Sequence, residues 1–427
     1  MAKGQNIDVM KVKDIYWGWY VVGGAFIIMA INYGARYCFG IFIKPMSLEY
    51  QWSRSVISFA ASLMIVTYGV GGILTGRILD RMAPRHMMTL GAAVVGLGFV
   101  LTAFIRTSWQ FYLTYGILCG LGSSCFGVVV CNSSVGKWFV KKRGLTIGIA
   151  SIGIGFGTMI LAPLAGYIVK VYGWRSGFIF LGVMVFIVGI SASQLFMGRT
   201  NPEDYGLKPD GEASLENGVP DAEVAQIHPV PGSLRTVIRD SRFWVLALCY
   251  SFAVIAEMSA FMHQVAYATD NHIEKVAAAS SVGVVGVASI LGRFFFGWLN
   301  DRISDAKYSA SLGFAFMALG MIILLWVDSP AMLLIYSILF GFGYGSMAPT
   351  MPYLLAHRFG RRVLGASYGL LTFFVGIGGG IGPLLAGHIY DRFGSYVYAW
   401  QLNIAILVVV TFAILRLKPR SAGQAAD

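Results

Sequence analysis

Ionisable side chains are scarce in the apolar stretches of this sequence, and the few that occur mark where chemistry can happen. Arg293 stands in a run from Val276 to Leu299 that holds no other charge, and Arg36, Glu257 and His263 lie in two further apolar runs. An arginine at the centre of a hydrophobic helix costs about 2.5–3.5 kcal/mol to insert into a bilayer, and such residues face a bundle interior or a wet cavity. There it either pairs with an acid or holds an anion, since its planar fork of donors matches a carboxylate in two parallel hydrogen bonds. Glu257 is the acid well inside a span, with His263 about 1.7 turns above it, and both are candidates for carrying a proton. The five cysteines (Cys38, Cys119, Cys125, Cys131, Cys249) show neither metal-ligand nor redox spacing. GIGGGIGP at 376–383 follows no strand, which rejects a dinucleotide fingerprint, and no nucleophile motif stands out. The pattern predicts neither an enzyme nor any cofactor or metal.

The elements that must position these residues are long apolar helices. The 427 residues are 57% hydrophobic and 12% charged, about half the charge of a soluble protein, with a mean hydropathy of +0.69. Runs of about 20 apolar residues, each able to cross a bilayer, recur from Trp17 to Leu415. We place twelve spans near 17–43, 53–79, 87–105, 108–136, 144–169, 174–196, 243–268, 276–300, 308–327, 331–356, 363–390 and 396–416. The polar, basic first sixteen residues followed by an overlong apolar run read as a retained first helix. Of 32 Lys and Arg, 23 lie in the termini and the loops after even-numbered spans, including Lys137, Lys141, Lys142, Arg143, Arg358, Arg361 and Arg362. Seven lie on the other side, so the net charge of +12 is a topology signal with both termini cytoplasmic, and nucleic acid is not an expected partner. The expected localisation is the plasma (inner) membrane.

One unit is used twice. GRILDR at 76–81 matches GWLNDR at 297–302, and LAGYIVKVYG at 164–173 matches LAGHIYDRFG at 385–394, at one offset of 221 residues. A polar, acidic stretch at 197–240 divides an N-terminal six-helix bundle, 1–196, from a C-terminal one, 241–427. A six-helix unit repeated in the same direction is the plan of major facilitator transporters, whose substrate site lies between the halves near mid-membrane. The expected fold is an all-α membrane protein of twelve transmembrane helices in two six-helix pseudo-repeats. The G-x-x-x-D-R element resembles that superfamily's loop motif. We expect Asp80 and Asp301 to accept hydrogen bonds from helix N-termini while Arg81 and Arg302 anchor their loops, a gating and structural role. The repeat also places Gly72 opposite Arg293, so the arginine serves something that one half alone supplies.

DIYWGW at 14–19 and WFVKKRGLTIGIASIG at 138–153 resemble two signatures of the monocarboxylate transporter family, and SRFWVL at 241–246 and GASYGLL at 365–371 resemble the related oxalate/formate antiporters. The resemblance implies a secondary transporter of small carboxylates whose span-eight arginine pairs with the substrate. Arg293 matches that position, followed by the family-like F-x-x-G-x-x-x-D run through Asp301. Three departures refine the expectation. The antiporters' second cation, on span eleven, is Val375 here, which argues against a dicarboxylate. The proton-coupled family's span-one lysine is Tyr37, a hydrogen-bond donor, with Arg36 beside it either as a ligand or lining the outer half of the pathway. The acid four residues before the arginine is Ser289, which leaves Glu257 or His263 as proton carriers. Asn132, Tyr344 and Tyr368 are further polar candidates to line the cavity.

The expectation is therefore symport of a lactate- or pyruvate-like monocarboxylate with a proton, by alternating access, in a lipid-embedded chain functional as a monomer. Carrying a lone monoanion inward against 100 mV costs about 2.3 kcal/mol, and one proton removes that cost. The alternatives are a carboxylate exchanger of the oxalate/formate type and a non-transporting sensor on the same scaffold.

Overall fold

The computed structural model describes residues 16–79, 82–139, 143–199, 201–205, 207–209, 237–359 and 364–418. Asp80, Arg81, Lys141, Lys142, Arg361, Arg362 and most of the expected linker, 210–236, lie outside these. Among the described residues every regular element is helical. Eleven helices are long and apolar enough to cross a membrane. One of them, Leu145–Phe196, is 52 residues long, more than twice the roughly 20 that a bilayer needs. Gly173 breaks it with φ 83° and ψ 168°, a conformation open essentially to glycine alone. The break yields spans five and six, for twelve in all. Gly394, at the same place in the repeat, also has positive φ (69°) and closes span eleven, Leu364–Phe393. Gly173→Ala is expected to lower stability by about 1–3 kcal/mol, since a Cβ is strained in that backbone region. Thermal unfolding in detergent checks this, with Gly148→Ala, at a helical glycine with nothing within 4 Å of an added Cβ, leaving stability undiminished.

The first span, Trp17–Tyr50, runs longer than expected because a second helix, Phe39–Tyr50, continues past a turn at Cys38. Span seven, Ser241–Asp270, starts where Asp240 accepts the N–H of Arg242 at 2.8 Å and pairs with its guanidinium at 2.5 Å. That guanidinium holds the Asp240 carboxyl below its usual range. The cap's contribution is thus full above the unfolded carboxyl's pKa of about 3.9 and is lost as pH falls through the lower folded value.

Three seams set the architecture. Span one packs along span five, span five against span eight (Lys275–Asn300), and span two (Arg54–Leu79) against span eleven. The last two join the first six spans to the second six. Glycines along these seams measure how they open. On one stripe of span five, a Cβ at Gly166 would meet Ala279 at 2.5 Å and one at Gly155 would meet the Gly286 carbonyl at 2.5 Å, whereas Gly148 faces nothing within 4 Å. On one stripe of span eleven, Gly387 faces the Arg54 carbonyl at 2.9 Å and Gly380 faces Val66 at 3.3 Å, while Gly376 and Gly369 face nothing. Both seams diverge toward the ends of the helices that lie on the side of the termini.

The opposite face is closed by a latch. Asp391, at the end of span eleven, accepts the N–H groups of Arg54 and Ser55, each at 2.7 Å, and so caps span two across the boundary between halves. The Arg54 guanidinium pairs with Asp270 (2.7 Å) and lies 3.6 Å from the Tyr390 ring centroid. Lys44 joins the same Asp270 at 2.9 Å. At the symmetry-related corner Lys170 pairs with Glu274 at 2.5 Å; both partners are well exposed, which makes this pair a weak one. Removing an N-cap costs about 1 kcal/mol. Asp391→Ala is therefore expected to raise the ratio of molecules open at this face to latched ones about fivefold. Spin-label distances between sites placed at Arg106 and Asp328, one in each half on that face, check it; an unchanged distribution contradicts it.

The loop motif departs from expectation in the second half. Asp301 is exposed at the C-terminal end of span eight and, among the described residues, takes no helix N-terminus. Asp305 does so instead, accepting the N–H of Lys307 at 3.1 Å at the start of span nine (Ala306–Leu325) while pairing with the buried guanidinium of Arg358. The reason is positional: Asp301 ends one helix, and the N-cap of the next falls four residues later. Arg302 stacks on Trp298 at 4.6 Å, consistent with an anchoring role.

Candidate functional site

Three of the ionisable groups singled out from sequence, Arg36, Glu257 and Arg293, meet between the halves. Glu257 is buried on span seven, and the charges of Arg293 and Arg36 both reach it, the first from span eight and the second from span one. Among the described residues no ion pair closes on any of the three. The Arg293 Nη1 donates to the Ser151 carbonyl on span five at 2.8 Å, a bond across the seam, while its Nε is buried without a partner. The Ser151 carbonyl takes one of the five donors that a guanidinium carries, and the Tyr344 hydroxyl lies beside the same group. Arg36 is 7% exposed, lies 5.3 Å from the Tyr68 ring and 5.9 Å from that of Tyr33, and also holds an unpartnered Nε. A buried and a half-buried cation facing one carboxylate leave an excess positive charge, and charge taken out of water is costly until an anion balances it.

Aromatic side chains wall this space. Tyr37, 6% exposed, stacks on Phe261 with centroids 4.7 Å apart, and Tyr344 meets the same Phe261 edge-on at 5.3 Å. Tyr344 stands beside Tyr37, Glu257 and Arg293, with the Arg293 guanidinium 6.0 Å from its ring centroid. Tyr37 in turn neighbours Glu257 and Arg36. Arg36 and Tyr37, adjacent on span one, both lie near Glu257.

The other candidates divide. Asn132 has a buried Oδ1 with no partner on the half of span four nearer the termini, and its amide can present either end by rotation. Tyr368 is 38% exposed near Tyr250, about two turns closer to the termini than Glu257, and does not join the arginine cluster. His263 is fully buried in the packing of spans two, eleven and twelve. Its Nε2 is 2.9 Å from the Pro383 carbonyl and 3.0 Å from Ser58 Oγ, and its Nδ1 is 2.8 Å from Tyr396 Oη. A carbonyl only accepts, so Nε2 carries the hydrogen and Nδ1 accepts from the phenol. Both nitrogens are thus occupied by structural partners beneath the latch.

Ser289, four residues before Arg293, is packed into a helix crossing. Its hydroxyl donates to the Gly286 carbonyl at 2.7 Å, and it sits 1% exposed where span eight crosses span ten at Gly345 and Gly341. Sequence reasoning missed Ser151, Phe261 and the latch residues Arg54, Asp270 and Asp391. The lone acid near the end of span eleven was the one available signal for the last.

Comparisons with known proteins follow the same line. The family model described as Major Facilitator Superfamily matches residues 25–303 and 256–426. Monocarboxylate transporter 12 of Mus musculus is 26% identical over 424 residues, covering 94% of this chain and 85% of that one. Monocarboxylate transporter 2 of Mesocricetus auratus is 25% identical over 403 residues, covering 92% and 82%. In fold, the chain is similar to a bacterial homolog of the human lysosomal transporter Spinster in an inward-facing, unoccupied conformation, with a TM-score of 0.73, 15% identity, and 93% and 96% of the two chains covered.

Proposed function

We propose, from the premise that this chain belongs to the Major Facilitator Superfamily and is an integral membrane transporter, that it carries small monocarboxylates of the lactate or pyruvate kind together with a proton. The observation that supports this best is that two arginines, Arg36 buried and Arg293 half-buried, face Glu257 inside an aromatic enclosure with no ion pair among the described residues. Its likeness to monocarboxylate transporters points the same way.

In this reading Arg293 binds the carboxylate through its free donors, and Tyr37 and Tyr344 orient it from the two halves. The apolar faces of Phe261 and the tyrosines accept a short hydrocarbon tail. Glu257 carries the proton, and the charge count explains the coupling. With Glu257 ionised the cluster is one positive charge in excess; with Glu257 protonated it is two in excess and attracts the anion more strongly. Proton and anion thus favour each other's binding, which is the linkage that symport needs. Arg36 sets the local potential from the first half. With both termini cytoplasmic, the open side of the structure faces the cytoplasm, and each six-helix bundle, joined through 197–240, moves as a unit about the seams.

Purified protein in proteoliposomes, loaded at one pH and diluted into another with labelled lactate outside, tests this. Uptake should follow an inward proton gradient without internal carboxylate. Uptake that ignores the gradient and requires internal oxalate or formate replaces symport with exchange.

A further inference from the structure

Span seven carries another polar side chain on the face that holds Glu257 and Phe261. Gln264 lies seven residues beyond Glu257, about two helical turns, so the two project from one side of the helix with Phe261 between them. It is fully buried, and neither its Oε1 nor its Nε2 has a partner. Span ten, Pro330–Phe359, repeats the pattern while running the opposite way: Tyr344, Phe340 and Tyr336 follow one another at four-residue spacing toward the latch. Tyr336 is also fully buried with an unpartnered hydroxyl. Phe261 and Phe340 meet edge-on at 6.2 Å, and Phe261 stacks on Tyr37 at 4.7 Å. The order along both helices is therefore the same: a polar level with Glu257 and Tyr344, a level of rings, and a second polar level with Gln264 and Tyr336. The latch residues Thr269 and Asp270 follow one to two turns further on.

Buried polar groups without partners are rare, and a glutamine with both ends unmatched is disfavoured against a leucine of similar size. Such a pair is explained by a state in which the groups are not buried. Opening the latch parts the two halves at this end of the pathway.

We propose that Gln264 and Tyr336 form an outer carboxylate station, uncovered when the latch opens, which receives the anion before it passes the ring level to Arg293. The amide NH2 and the phenol O–H are donors that a carboxylate accepts. Being neutral, they hold it less strongly than a guanidinium does, as suits a site that must release toward the arginine. The inference rests on the carboxylate reading above.

Lactate exchange by sealed vesicles of known protein orientation tests it, with half-saturation measured separately at each face. For Gln264→Leu the half-saturation at the latch face should rise about tenfold, the loss of one hydrogen bond to a charged group, with that at the face of the termini unchanged. Tyr336→Phe, which deletes a single oxygen, should shift it in the same sense and keeps the test sound if the leucine variant misfolds. Equal shifts at both faces, or none at either, overturn the outer station. Absence of lactate exchange by the unsubstituted protein counts against the carboxylate reading itself, and so separates the two failures.

Discussion

Arg293→Ala is expected to reduce lactate uptake by about a hundredfold at subsaturating substrate. Truncating one partner of a buried, hydrogen-bonded charge pair costs about 2–5 kcal/mol, and 3 kcal/mol is roughly two decades. Arg36 belongs to span one and Val375 offers no charge on span eleven, so neither replaces the lost fork. Arg293→Lys keeps the charge but not the planar fork, so it should recover only part of the loss. Expression and the melting temperature should hold, since this half-buried side chain has few protein partners, the Ser151 carbonyl and the neighbouring Tyr344. Transport kinetics and thermal unfolding of the two variants, measured side by side, check both statements. Uptake by Arg293→Ala equal to that of the unsubstituted protein removes the arginine from the site.

Glu257→Gln is expected to separate the proton from the anion. The amide resembles the protonated acid in shape and charge but cannot release a proton. Carboxylate exchange across the membrane should persist, because the two arginines still attract the anion. Net accumulation driven by pH should vanish. In one-to-one symport each unit of pH difference sustains about a tenfold carboxylate gradient, since one unit equals about 1.36 kcal/mol. The variant should sustain none. His263→Gln provides the contrast, since its ring is held by Pro383, Ser58 and Tyr396. That change should loosen the packing under the latch and lower stability while leaving the coupling ratio intact. Loss of pH-driven accumulation in the histidine variant alone would transfer the proton to His263.

Much of this arrangement was legible in the sequence because a bilayer makes hydrophobic length and misplaced charge unusually informative. Arg293, Arg36 and Glu257 stood out as charges in apolar runs, and the structure brings all three together. The repeat at 221 residues exposed the doubled plan and the paired glycines, Gly173 and Gly394, that end spans five and eleven. What escaped was whatever depends on contacts between distant spans. Asp391 was passed over, because capping a helix of the other half leaves no local pattern. Asp305 was passed over for Asp301, since the motif drew attention to a position that ends a helix and away from the one that begins the next. His263 looked like a titrating group by residue type, yet its role follows from partners on spans two, eleven and twelve that no spacing announces. Ser289 was a puzzle in one dimension; in three it lies where Gly345 brings span ten against its backbone.

The central claim is that a carboxylate sits between Arg293 and the Tyr37–Tyr344 pair. Its most direct measurement is an anomalous-scattering map of the protein soaked with a short brominated monocarboxylate such as 3-bromopropionate. The account predicts a bromine peak against the Phe261, Tyr37 and Tyr344 rings, with carboxylate density on the Arg293 guanidinium, and no such peak in Arg293→Ala crystals. A peak elsewhere, or one beside the rings that survives in Arg293→Ala, contradicts it.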